Sequence, residues 1–120
     1  MTRNDSSTRF YSDKHEKSVC KALGARQTSN SGAGKFDKGD VIQEEASLFI
    51  ECKTAITDKK SLSIQKDWFS KIKEESFRTR STNTALCFNF GPSSENYYII
   101  SEKLMQFLVE NLIKENNENY

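Results

Sequence analysis

Asp40, Glu51 and Lys53 lie inside the segment KGDVIQEEASLFIECK, residues 38–53, where charged groups interrupt an apolar, strand-like run. Side chains alternate faces along a strand, so Glu51 and Lys53 share one face with Phe49, while Leu48, Ile50 and Cys52 share the other. If residues 44–47 form a four-residue hairpin loop, Gln43 opposes Leu48 and Asp40 opposes Glu51; an odd-length loop or a bulge would place the two carboxylates on opposite faces. Directly opposed residues hold their Cβ atoms about 5 Å apart. Two carboxylates that close repel, and the pKa of one rises unless a cation lies between them. A divalent ion resolves the conflict, and carboxylate oxygens with a backbone carbonyl suit Mg²⁺. Such an ion activates water and neutralises charge on a phosphate in flight. Lys53, one alternation further on, reaches the same space, where it could orient the attacking water or stabilise the transition state.

The flanking sequence must supply the elements that hold this group. Asp13 and Glu16 have capping-box spacing, and Val19, Cys20 and Leu23 form a helical stripe ending at Gly24. These signals predict a first helix over about residues 14–23, preceded by a polar, frayed stretch over 1–11. ARQT reads as a short edge strand, and SNSGAGKFDKG as a mobile loop. DVIQ and SLFIECK form the hairpin, and TDKKS is a loop. IQKDWFSKIKEESF places Ile64, Trp68 and Ile72 at four-residue spacing and predicts an amphipathic helix. TALCFNF is a buried strand, GPSSEN a turn and YYII a further strand. SEKLMQFLVENLIK is a closing helix with Ser101 as its N-cap, followed by a polar, flexible tail over 115–120. The expected fold class is α/β, a small central mixed β-sheet flanked by helices, forming one domain over 1–120.

Composition sets limits. At 120 residues and 35% apolar, with mean hydropathy −0.74, the chain has room for one modest core and no apolar run long enough for a membrane span. Its polar N-terminus does not read as a signal peptide. Cys20, Cys52 and Cys87 are odd in number and show no CxxC or metal-knuckle spacing. They read as reduced core thiols in a cytoplasmic compartment. Residues 1–80 carry a net charge of +4 and residues 81–120 a net of −3, which fits an anionic partner on one side.

Asp40 followed by Glu51-Cys52-Lys53 resembles the D…(D/E)xK signature of the PD-(D/E)xK nuclease superfamily. Glu16 matches the helix glutamate that completes the acidic cluster in many members. RQTSNSGAGKFDKGDV resembles the Arg/Ser/Gly segment before the motif aspartate of archaeal Holliday-junction resolvases and related phage enzymes. Gln65 matches a glutamine often found after the ExK strand. The residue before Asp40 is Gly39 rather than proline. The resemblance covers roughly residues 13–75 as a pattern of motifs. It implies a restriction-endonuclease-like fold and an Mg²⁺-dependent endodeoxyribonuclease, with Mn²⁺ as a substitute. Asp40, Glu51 and the Cys52 backbone carbonyl would be metal ligands, Glu16 would bind a second metal or a metal water, and Lys53 would be the catalytic lysine. Arg26, Ser29 or Ser31, Lys35, Lys38 and Gln65 would contact DNA. It also implies a homodimer acting on four-way or other branched DNA in recombination or repair, within the host cytoplasm if phage-encoded.

Other readings of the same residues remain open. The chemistry would equally serve a sequence-specific or nicking endonuclease of restriction or homing type, and the fold could persist as a non-catalytic DNA-binding module. Glu16 fits a capping-box carboxylate as well as a ligand. His15 reads as an exposed first-turn residue. Trp68, Tyr97 and Tyr98 read as packing residues before base-stacking ones.

Overall fold

Residues 2–23 contain neither glycine nor proline, so nothing stops a helix from propagating backwards from its apolar end. The computed structural model describes residues 2–28 and 40–118, and in it α1 spans Thr2–Leu23. The expected start near residue 14 is therefore corrected. Asp13 lies inside the helix and caps nothing; it pairs with Lys17 at 3.0 Å, one turn on. The stop at Gly24 is as expected. Gly24 adopts φ +65°, and Ala25 N–H donates to the Cys20 carbonyl at 3.0 Å, the six-to-one bond of a Schellman ending.

The chain continues through β1 (Arg26–Gln27), β2 (Asp40–Gln43), β3 (Leu48–Lys53), α2 (Lys66–Arg78), β4 (Asn83–Phe88), β5 (Tyr97–Ile100) and α3 (Glu102–Glu118). The sheet order follows the chain order, β1-β2-β3-β4-β5. All neighbours are antiparallel except β3 and β4, which are parallel and joined through α2. A parallel pair needs such a crossover, because a tight turn cannot reverse the chain twice.

Alternation along the strands divides the core into two layers. Val41, Ile50, Cys52, Ala85 and Cys87 pack with Val19 of α1. Ile42, Phe49 and Leu86 pack on the other face with Ile72, beside Trp68 and Phe69 of α2. The protein is thus a small α/β domain, with a mixed five-stranded sheet between two helices.

α3 departs from its expected role as a closing helix. Ser101 Oγ accepts the Leu104 N–H at 3.1 Å, so the cap forms as read. Yet no residue of α3 is buried, and Met105, Phe107, Leu108, Val109, Leu112 and Ile113 are exposed. Among the described residues no helix is long and apolar enough to cross a membrane.

Candidate active site on the β2–β3 hairpin

The loop over residues 44–47 has an even length, and the register follows from it. Gln43 pairs with Leu48, Ile42 with Phe49, Val41 with Ile50 and Asp40 with Glu51. Ser47 accepts the strain of closing the turn at φ +51°. Its N–H donates to the Glu44 carbonyl at 3.0 Å, and its Oγ accepts the Thr82 N–H at 2.9 Å. Gln43 braces the same end, donating to the carbonyls of Leu23 and Gly24 and accepting the Ala46 N–H.

The carboxylates sit at the open end of this hairpin. Asp40 is buried, and Glu51 and Lys53 are partly exposed. By alternation all three belong to the layer of Ile42 and Phe49, the one that α2 covers. Lys53 Nζ lies 3.7 Å from Glu51 Oε2 and 4.5 Å from the Trp68 ring centroid. The ammonium is therefore held between the Glu51 carboxylate and the Trp68 face, an ion pair and a cation–π contact that together fix its direction. Two carboxylates from opposed residues thus belong to one face of the sheet, and oxygen donors are the type that suits Mg²⁺.

The other residues expected at the site are distributed differently. Glu16 is buried and comes to the hairpin from the α1 layer, where its Oε1 accepts a hydrogen bond from Gln27 Nε2 at 2.9 Å. Gln27 also donates to Asp13 at 3.1 Å; that bond and the Lys17 ammonium hold the Asp13 carboxyl below its usual range. Arg26 is turned to the closed end of the hairpin, where it pairs with Glu44 at 2.8 Å. Gln65 is exposed at the N-cap of α2 and makes no side-chain cap bond. Ser29, Ser31, Lys35 and Lys38 lie outside the described residues.

Behind the hairpin is a second group that the sequence reading missed. His15 is buried, contrary to the exposed position expected of it. Its Nδ1 lies 2.8 Å from Thr54 Oγ1 and its Nε2 3.4 Å from Cys87 Sγ. Cys52 and Cys87 are direct partners across the parallel pair, both buried. A hydrogen bond from Cys52 holds the Cys87 thiol down to about 6 against the opposing effect of burial, and His15 and Tyr98 add to the lowering. The same bond and burial push Cys52 upward. Tyr98 is raised by its own burial and by Cys87. The signal for His15 was present: residues 15, 19 and 23 fall at four-residue spacing and form one stripe within the helix already expected over about 14–23.

No family model, no curated protein and no solved structure matches this chain.

Proposed function

We propose that the chain is a metal-dependent DNA endonuclease with a restriction-endonuclease-like fold, hydrolysing phosphodiester bonds in branched DNA. The observation that carries this reading is the register pairing of Asp40 with Glu51, with Lys53 on the same face. The mixed sheet with helices on both faces supports the fold that the motif resemblance implies.

On this reading Asp40 and Glu51, with the Cys52 carbonyl, hold Mg²⁺. The ion would supply an acidified water and neutralise charge on the scissile phosphate. Lys53 has a separate task. Its ammonium, fixed over Trp68, is available to a phosphate oxygen or to the attacking water at the exposed rim of α2. Gln65 and the N-terminal end of α2 border that rim, where unpaired backbone N–H groups favour an anion. A branched substrate is recognised by backbone shape more than by base sequence. Paired nicks across a junction require two sites, so the reading includes a homodimer.

The test is cleavage of a synthetic four-way junction and a matched linear duplex with Mg²⁺ or Mn²⁺. Wild type should cut the junction preferentially, and Asp40→Ala, Glu51→Ala and Lys53→Ala should each lose at least about 100-fold in rate. Equal cutting of the linear duplex would move the assignment to a restriction or nicking type. Full activity in Asp40→Ala and Lys53→Ala would remove the hairpin as the site. Junction binding with no cutting under either metal would leave a DNA-binding module.

A further inference from the structure

We propose that His15, Cys52 and Cys87 form a structural site for a thiophilic cation, Zn²⁺ first, which ties α1 to the parallel pair β3–β4. The inference does not rest on the nuclease reading, because these side chains are on the α1 layer and the carboxylate pair is on the other face of the sheet.

Three features carry it. The ligand atoms of the three residues all lie within 4.8 Å of one another, and all three residues are buried. In a tetrahedral zinc site, nitrogen and sulfur ligands stand about 3.5–3.8 Å from each other. The Nε2–Sγ distance of 3.4 Å already matches, so only small side-chain rotations are needed to close the set. The second feature is orientation. When Nδ1 carries the ring proton and donates it to Thr54 Oγ1, Nε2 turns its lone pair toward the sulfurs. An outer partner on the far ring nitrogen is the usual way a ligating histidine is aligned. The third is donor chemistry. Sulfur and imidazole select zinc-like ions over Mg²⁺, which prefers oxygen.

Three protein donors leave a fourth position. A pocket of about 360 Å³ lined by Tyr11, Lys14, His15, Thr54 and Asn89 reaches the imidazole but is not lined by Cys52 or Cys87, and water would be the remaining ligand. Because His15, Cys52 and Cys87 come from α1, β3 and β4, one bound ion would cross-link three elements of a small core.

The test uses the full chain, reduced and stripped with a chelator, then titrated with Zn²⁺ and with Co²⁺ as a spectroscopic substitute. Wild type should take up one Zn²⁺ per chain with a rise in melting temperature, and Co²⁺ should produce thiolate-to-metal charge-transfer absorption. Cys87→Ser and His15→Gln should lose the stoichiometric ion, and Thr54→Val should weaken binding by about tenfold. Cys20→Ser and Asp40→Asn should bind as wild type does, which separates this site from the half-buried Cys20 thiol and from the carboxylate pair. Should Cys87→Ser fail to fold, the wild-type Co²⁺ spectrum and the His15→Gln titration still decide. Absence of thiolate-to-cobalt absorption in wild type, or its survival in Cys87→Ser, would reduce the cluster to a hydrogen-bonded thiol–imidazole core.

Discussion

Asp40 and Lys53 come to one face of the sheet by different means. Asp40 is delivered by register, one strand set against another. Lys53 is delivered by a side-chain contact, its ammonium resting between Glu51 and Trp68. On the opposite face the decisive residues are the coupled thiols, and they make stability pH-dependent. The ordinary thiol value of 9.0 falls to about 6 for Cys87 in the folded protein. An acid whose folded value is depressed adds stability that is complete above its unfolded value and lost as pH falls through the folded value. Wild type should therefore gain in urea midpoint over Cys87→Ala as pH rises from about 6 to about 9 in the metal-free chain. Cys52, shifted upward, withdraws stability only above its unfolded value of 9.0. A wild-type–variant difference that stays level across that range would contradict the coupling.

Element boundaries explain how these residues are held. α1 ends with glycine in the left-handed region, but α2 ends with Arg80 at φ +60°. Arg80 N–H donates to the Phe77 carbonyl at 3.2 Å, and Ser81 N–H to the Ser76 carbonyl at 2.8 Å. This is the same Schellman closure built on a residue with a Cβ, which costs about 1–2 kcal/mol in that conformation. Arg80→Gly should therefore stabilise the protein by about 0.5–1 kcal/mol, after allowing for the greater freedom of glycine in the unfolded chain. Chemical denaturation measures this, and a destabilised variant would mean that the arginine side chain contributes more than its backbone costs. A second glycine is demanded by packing. Gly91 has φ +154°, and a Cβ there would run into Asp58. Lys59 N–H also donates to the Phe90 carbonyl at 2.7 Å, so the β3–α2 and β4–β5 loops are stitched together.

At the scale of the whole molecule, α3 is the unfinished part. The protein measures 58 × 33 × 27 Å, and the long apolar stripe of α3 covers no core of its own. Met105, Leu108, Val109 and Leu112 recur at helical spacing on one face. On the proposed nuclease reading, a homodimer would pair this stripe with its copy about a two-fold axis, burying the same patch on each side. We therefore expect wild type to sediment as a dimer and Leu108→Glu/Leu112→Glu as a folded monomer. The double variant should still bind Mg²⁺ but lose coordinated cutting of the two junction strands. A double variant that remains dimeric would place the contact on another surface, such as the exposed edge of β5.

The two candidate clusters differ in how legible they were. The hairpin could be read because strand alternation and an even loop length are local properties, and together they bring Asp40 opposite Glu51 from residues only a turn apart. The helix stop at Gly24 and the cap at Ser101 were legible for the same reason. The start of α1 was not, because a polar segment without glycine or proline carries no local boundary. The packing of α3 was not either, since an apolar stripe looks the same whether it faces its own core or another chain. Sequence alone determined the β2–β3 hairpin and, given its four-residue loop, the register that sets Asp40 opposite Glu51. Only the tertiary structure decided that His15, Cys52 and Cys87 converge, because a helix residue and two residues from a parallel pair separated by a crossover have no spacing rule that connects them.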